Sequence, residues 1–505
     1  MAARKPPGRR GPPGRRTLGP PEGGAAAGRS EKRAGDRGNR GRAGDQELPS
    51  ESSARTEDPV RGAAVRLLMR LEHEGHPMTG DLEEAASRFS AHQDRQFLRS
   101  LFLETVRHRR RLDHVLQEML ERPLEAIEPP VRNVLRLGAT ELLVLRVAPH
   151  AAVDTSVTLA RRRGHRGTAA LVNAVLRRVA REGPAAWSRI DVLPDTVEGL
   201  SVRYSHPAWL VARWLGRWGP QRTRRMLAWN NSLPDYWLRL EAAEGPPEAT
   251  PGWIPGTARV AAGSRPALEA GFTSGQWTIQ DGSAIVVGML PPEVSGRVLE
   301  MAAAPGTKTT HLYERAADGT MILALDRSSS RLRKLAADLA GRRAVRGNDS
   351  GPAGGTLAQA SDARGRRILL AAADGRNLPA AGPFNLVLLD APCSNLGVIR
   401  RRIDVKWRAR ESEIERLAAL QRELLASAVR VVAPGGWLVY SVCTVEPEES
   451  TRHYDALIAE HPDLVPAEFP AFLPQDARLR PGEMLLLPGE HETDGTYALV
   501  LQRRG

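Results

Sequence analysis

From residue 58 onward apolar side chains recur every three or four positions, beginning with Val60, Ala63, Ala64, Leu67, Leu68 and Leu71. One buried helix face requires that spacing. The same period runs through Phe97–Val106, Leu112–Leu120, Val131–Leu145, Ala151–Leu159 and Leu171–Val179, with Pro129, Pro130, Pro149, Gly164 and Gly167 in the connectors. Residues 58–185 therefore predict an all-α bundle. Past residue 281 the pattern changes. "GRVLEMAAAPG", "TMILALDRS", "RILLAAADGRN", "FNLVLLDAPC" and "GGWLVYSVCT" read as five strands with helical stretches between them. That alternation predicts a parallel, doubly wound sheet over 281–505. Gly341–Arg366, rich in Gly, Ala, Arg and Ser, reads as a flexible surface insertion.

Between these regions, 197–280 forms a connector in which Tyr204, Trp209, Trp214, Trp218, Trp229 and Trp237 interleave with Arg203, Arg213, Arg217, Arg222, Arg224 and Arg225. Arginine with aromatic rings suits unpaired bases and phosphates. Trp209, Trp214 and Trp218 also sit at helical spacing, which favours a place in the core for most of these rings. The bundle's arginines (Arg107, Arg109, Arg110, Arg111, Arg161, Arg162, Arg163, Arg166, Arg177, Arg178) form either a basic face or an ordinary solvated one.

Composition adds a partner class. The 505 residues carry a formal charge of +13, and residues 1–57 hold thirteen Lys and Arg against seven Asp and Glu. That stretch has almost no large apolar residue, so it predicts a disordered basic tail. An excess of this size suggests a polyanionic partner, with nucleic acid the usual one. No apolar run approaches the ~18 residues of a membrane span, and no secretory signal precedes the bundle. Two cysteines in the whole chain exclude a disulfide framework and fit a reducing cytoplasm.

In open α/β sheets, ligands bind outside the carboxyl ends of the strands. Ala304–Lys308, Asp326, Asp374, Asp390–Cys393 and Cys443 all fall there. The turn at 304–306 lets backbone approach a ligand at a helix N-terminus. Asp326 suits ribose hydroxyls, and Asp374 an adenine amino group. Taken singly, an aspartate is more often a cap or a turn residue; several at successive strand ends point to an adenosine-containing cofactor. No G-x-G-x-x-G fingerprint is present, which favours S-adenosylmethionine over a nicotinamide. The cysteines define the reaction class. Carbon 5 of cytosine is a poor nucleophile until a thiolate adds to carbon 6. A lone buried cysteine is ordinarily a small core residue; two, each following one of two neighbouring strands, fit a catalytic pair.

Two resemblances sharpen this reading. "VRNVLRLGATELLVL" and "PHAAVDTSVTLARRRGHRGTAALVNAVLRRV" resemble the NusB fold over most of 58–183. "LEMAAAPGTKTTHL", "ALD", "AADGRNLP", "VLLDAPCSNLGVIRRRIDVKWR" and "GGWLVYSVCTVEPEES" resemble the successive motifs of the Nop/Sun family of RNA 5-methylcytosine methyltransferases. The resemblance implies a NusB-like RNA-binding bundle followed by a Rossmann-like, S-adenosylmethionine-dependent methyltransferase domain. It implies Cys443 as nucleophile and Cys393 as the group assisting product release. It also implies a cofactor site lined by Ala302, Ala303, Ala304, Pro305, Gly306, Thr307, Lys308, Asp326, Asp374 and Asp390, with Asp390 reaching the cytosine as well. Small-subunit rRNA is the implied substrate, with no metal, no membrane and a monomer as the default. Glu300, Ala302 and Thr307 depart from the family's Asp, Cys and Gly. Thr307 is the departure of most consequence, because a β-branched residue resists positive φ and would crowd the methionine moiety. A catalytically silent RNA-binding or assembly factor is the competing reading. A DNA cytosine methyltransferase using Cys393 as nucleophile leaves Cys443 and the bundle without a role.

Overall fold

The computed structural model describes residues 58–74, 78–165, 167–241, 245–263, 270–341, 346–348, 356–379 and 382–505. The basic tail at 1–57 and much of the 341–366 stretch lie outside them.

Six helices form the N-terminal bundle: α1 (Pro59–Glu74), α2 (Met78–Ser87), α3 (His92–Met119), α4 (Pro129–Leu143), α5 (Pro149–Arg163) and α6 (Thr168–Ile190). The periodicity breaks at residues 107–111, yet α3 runs through them unbroken. Arg107 and Arg111 turn inward there and are almost fully buried. Arg107 pairs with Glu104 one turn earlier. Arg111 pairs with Asp191 at 2.8 Å, donates to the Trp187 carbonyl at 2.8 Å and stacks on the Trp187 ring. Arg109 pairs with Glu72, and Arg110 with Glu198. These four arginines are internal ties, so the basic-face reading fails for this stretch, whereas Arg161 and Arg177 are exposed.

Helices α7 (Val197–Arg203) and α8 (Ala208–Asn231) follow. Trp214 on α8 is fully buried, and Trp209 and Trp218 pack against the same core, as helical spacing predicts. A small antiparallel sheet comes next, built from β1 (Tyr236–Leu240), β2 (Thr250–Pro251), β3 (Thr257–Val260) and β4 (Trp277–Ile279) in the order β2-β3-β1-β4. Helix α9 (Ala270–Ser274) precedes β4.

The C-terminal region begins with α10 (Gly282–Met289), β5 (Arg297–Met301), α11 (Thr307–Arg315), β6 (Met321–Asp326), α12 (Ser329–Gly341), β7 (Arg346–Asn348), β8 (Thr356–Ser361), β9 (Arg367–Ala372) and β10 (Phe384–Asp390). It ends with α13 (Val405–Arg408), α14 (Glu411–Arg430), β11 (Val432–Val442), α15 (Thr451–Glu460), β12 (Leu464–Pro466), β13 (Arg478–Arg480), β14 (Glu483–Leu486) and β15 (Thr496–Arg503). The five predicted strands are β5, β6, β9, β10 and β11. They lie side by side in the order β11-β10-β5-β6-β9, all parallel. Side chains alternate between two cores: Val298, Leu386, Leu388 and Val439 on one face, Leu299, Met301, Leu389 and Tyr440 on the other.

The edges are antiparallel, which makes the sheet mixed. On one side β15 pairs with β11, and β14 with β15. On the other side β8 pairs with β9, and β7 with β8. Arg346–Asn348 and Thr356–Ser361, within the stretch expected to be a flexible insertion, are therefore paired edge strands. Alternation in Ala358-Gln359-Ala360-Ser361 supplies the pairing face, and Ala360 is buried on the core. Among the described residues, no helix is long and apolar enough to cross a membrane.

Candidate active site

The five parallel strands bring the sequence-selected residues to one edge in a fixed order. Cys443 follows β11, Asp390 ends β10 with Cys393 just beyond, 302–308 follow β5, Asp326 ends β6, and Asp374 follows β9. Neighbouring strands lie ~4.8 Å apart, so four intervals from Cys443 to Asp374 span roughly 19 Å. The thiols occupy one end of this line and two aspartates the other, with the glycine turn between them.

At the thiol end, the sulfurs of Cys393 and Cys443 approach to 3.2 Å. Cys393 is buried and Cys443 is partly open. The hydrogen bond to Cys443 and then burial push the Cys393 pKa well up, which keeps it a thiol. Asn395 spans the pair: its Oδ1 lies 3.2 Å from the Cys443 sulfur, and its Nδ2 donates to the Cys393 carbonyl at 2.7 Å. It holds φ at 61°, a left-handed conformation that asparagine tolerates better than most residues. One step outward, the Ser394 and Thr444 hydroxyls meet at 2.9 Å. The Ser394 amide donates to Glu449 at 2.9 Å, and Gln421 donates to the same carboxylate oxygen at 3.0 Å. Burial raises the Glu449 pKa.

Lys308 reaches from α11 to Asp390, with Nζ 2.7 Å from Oδ2, while the Ser441 hydroxyl donates to Oδ1 at 2.7 Å. Burial opposes the lysine's charge, but attraction and a hydrogen bond to Asp390 outweigh it and raise its pKa. The pair thus fixes a cation and an anion beside the thiols.

The glycine turn packs closely against α12. Gly306 sits at φ 101°, and a Cβ there would lie 2.1 Å from Leu335 Cδ1. Ala302 also has positive φ, at 57°. Thr307 does not: it opens α11 in helical conformation, with Gly306 as the residue before the helix. The expected conflict between a β-branched side chain and positive φ is therefore absent, because the left-handed step falls one residue earlier. Asp326 is buried at the end of β6 and accepts from the Ala304 amide at 3.1 Å and the Ser328 amide at 2.8 Å. Arg331, itself more than half exposed, also covers this carboxylate at 2.9 Å. Asp374 is tied through its neighbour Ala373, whose amide donates to the Asp326 carbonyl at 3.1 Å. Its own carboxylate faces Arg376 rather than the turn, and that guanidinium holds its pKa down at about 2.

Glu300 lies beneath the turn on β5, fully buried, with Oε2 lacking a hydrogen-bond partner. Burial pushes its carboxyl up to about 8, so it is mostly protonated at neutral pH. Asn395, Ser441 and Glu449 went unselected in the sequence reading. For Asn395 the available signal was its place two residues after Cys393; for the other two it was membership of the motif around Cys443.

The geometry can be set beside known proteins. The family model for 16S rRNA methyltransferase RsmB/F matches residues 287–347 and 356–502, and that for the NusB family matches 58–181. Ribosomal RNA small subunit methyltransferase B of Sodalis glossinidius is 33% identical over 421 residues, covering 80% of this chain and 90% of its own. The chain belongs to the ribosomal RNA small subunit methyltransferase B family. The probable member from Bacillus subtilis is 29% identical over 469 residues, covering 88% of this chain and 99% of its own. The crystal structure of PH0851 superposes with a TM-score of 0.67 at 22% identity, over 89% of this chain and 99% of its own, so the fold is shared. Family membership fixes the coarse activity, methylation of small-subunit rRNA, and the NusB match accounts for the helical bundle.

Proposed function

We propose that this chain transfers a methyl group from S-adenosylmethionine to carbon 5 of a cytosine in small-subunit rRNA, with Cys443 as nucleophile. The observation that best supports this reading is the 3.2 Å approach of the chain's two cysteines, beside a half-buried Lys308–Asp390 pair. S-adenosylmethionine, when bound, supplies an electrophilic methyl group. Its fit rests on the buried Asp326 carboxylate and on the left-handed turn at Gly306, which opens α11 beside it. Ala302–Lys308 would pass along the methionine part, Asp326 would take ribose hydroxyls once the exposed Arg331 swings aside, and Asp374 would face the adenine once its carboxylate turns from Arg376.

The remaining chemistry belongs to the side chains. The Cys443 thiolate adds to carbon 6, forming an S–C bond and making carbon 5 nucleophilic. The Lys308–Asp390 pair would lie beside the target ring, and Asp390 would accept from its exocyclic amine. After methyl transfer a base removes the carbon-5 proton, the S–C bond breaks, and Cys443 leaves as thiolate. Cys393, kept protonated by burial, donates its S–H to that sulfur as the charge returns. To test this, the purified chain is incubated with unmodified 16S rRNA and S-adenosylmethionine, and the RNA is bisulfite sequenced. One newly protected cytosine is the expected result. Tight rRNA binding with no protected cytosine and no cofactor heat in calorimetry would instead identify a silent assembly factor.

A further inference from the structure

A cleft of about 730 Å³ opens between α3, the end of α6, α7 and the second half of α8, apart from the thiols. Arg111, Arg203, Arg224 and Arg225 line it, together with Tyr204 and Asn231. The acids around it are too few for the arginines. Asp195 serves both Arg203, at 2.5 Å, and Arg224, at 2.8 Å. Glu490 likewise serves both Arg222, at 3.0 Å, and Arg225, at 3.4 Å. Only Arg111 has a carboxylate to itself, Asp191. The four lining arginines thus share three acids, and one of these, Glu490, also serves Arg222 outside the lining, so positive charge is in excess.

A guanidinium carries five N–H donors, and a shared carboxylate occupies one or two of them. The side chains of Arg224 and Arg225 are 41% and 60% exposed, so their remaining donors face the cleft and solvent. Sharing also holds the forks in place: Asp195 fixes Arg203 against Arg224 from both of its oxygens. Planar forks held in place with donors to spare suit phosphate oxygens, which they can grip bidentately. The floor of the cleft connects to the catalytic loop. Asn231 donates to the Tyr204 carbonyl at 2.6 Å and accepts from Lys406 at 3.0 Å, and Lys406 lies on the segment that leaves Cys393.

Resting on the reading of this chain as an rRNA-modifying enzyme, we infer that this cleft grips the sugar-phosphate backbone of the rRNA substrate at a point away from the target cytosine. The substrate would then be held at two places, by its base at the thiols and by its phosphates here.

The test uses the full chain carrying Arg224→Glu and Arg225→Glu together, with naked 16S rRNA as the probe. Affinity is measured across a salt series, S-adenosylmethionine binding by calorimetry, and melting alongside. Each lost phosphate contact lowers the slope of log K against log salt by about 0.7–0.9. The double variant should therefore bind rRNA more than tenfold more weakly at low salt, with a slope smaller by roughly 1.4–1.8, while cofactor binding and melting stay at parental values. Should the double variant fail to fold, Arg225→Ala serves alone, because that side chain is mostly exposed; its slope should fall by roughly 0.7–0.9. Parental affinity and slope in a folded variant would overturn the assignment, even if the parent methylates cytosine normally. Competition by inorganic phosphate at matched ionic strength would also overturn it, in favour of a free-phosphate site. A parent that binds rRNA with the expected slope yet methylates no cytosine would sink the proposed reaction and leave the cleft standing.

Discussion

Replacing Cys393 by alanine separates the two thiols by function. In the structure Cys393 is 8% exposed, and its sulfur touches that of Cys443. Deleting one buried heavy atom of this size costs about 1 kcal/mol of folding stability, small against the ~5–15 kcal/mol of a typical domain. The variant should therefore fold, with melting lowered by a few degrees at most. Chemistry changes more. A hydrogen bond to a charged group is worth about 1.5–3 kcal/mol, and here it would be made to the departing Cys443 thiolate. Its loss slows release by roughly 10- to 150-fold, while addition of Cys443 to carbon 6 remains possible. A covalent protein–RNA species should accumulate in a single-turnover time course, visible on a denaturing gel and as an intact mass equal to chain plus RNA. Cys443→Ala, and the double variant, should show none. An adduct in Cys443→Ala would reverse the two roles, and parental turnover by Cys393→Ala without any adduct would refute the release function altogether.

Three further outcomes follow from the geometry around the thiols and the turn. Gly306→Ala combines a left-handed cost of about 1–2 kcal/mol with overpacking against Leu335 of about 1–3 kcal/mol; calorimetry should show weakened S-adenosylmethionine binding, and unchanged affinity with unchanged melting would refute the cradle. Glu449→Ala leaves the Ser394 amide without its acceptor and the Gln421 side chain with only the Pro392 carbonyl, at roughly 1–3 kcal/mol for the orphaned amide; kcat should fall with KM for RNA little changed, and Glu449→Gln, which keeps an acceptor oxygen, should restore most of it. Glu300, with a carboxyl near 8 against about 4.3 unfolded, binds more protons folded than unfolded, so it subtracts stability as pH rises from about 4.3 to 8. Glu300→Gln should therefore gain on the parent in melting temperature steadily across that window, and parallel curves would refute the assignment.

The reactive edge was legible in the sequence for a physical reason. Parallel strands buried on both faces read as continuous apolar runs, so the residue ending each run marks the ligand edge, and "VLLDAPC" and "VYSVC" place both thiols there. Tertiary ties were harder to see. Arg107 and Arg111 interrupt the apolar pattern of α3 because their partners, Glu104 and Asp191 with the Trp187 carbonyl, are recognisable only once the chain is folded. The sheet β2-β3-β1-β4 escaped notice because its strands hold two to five residues, too few for a period to declare itself. Edge strand β8 is built from Ala, Gln, Thr and Ser with one Leu, a composition that carries weak strand preference. Asn395 and Glu449 owe their roles to contacts with another loop, and no local pattern encodes those.

The segment from Asn395 to Arg408 helps to join bundle and sheet, which form one unit among the described residues. It leaves Cys393 and makes contact in turn with the residues before β1, with Asp281 and Asp494, and with α3 and α8. Arg400 donates to the Leu233 carbonyl, and Arg401 to the Asp235 carbonyl and to Asp281 and Asp494. Lys406 and Trp407 then donate to the carbonyls of Arg107 and Val106 on α3, at 2.8 and 2.7 Å. Lys406 is fully buried, and burial pushes its pKa well down. Such a side chain is tolerated only with its donors satisfied, and the acceptors it uses belong to α3 and α8. The apolar core agrees: Ile403 and Val405 of this segment belong to the cluster that also holds Leu98, Val106 and Leu389. The loop that carries Cys393 into reach of Cys443 therefore takes its conformation partly from the NusB-like bundle. In this chain the bundle is a structural support of the thiol site, and whatever displaces α3 also shifts the segment on which Cys393 depends.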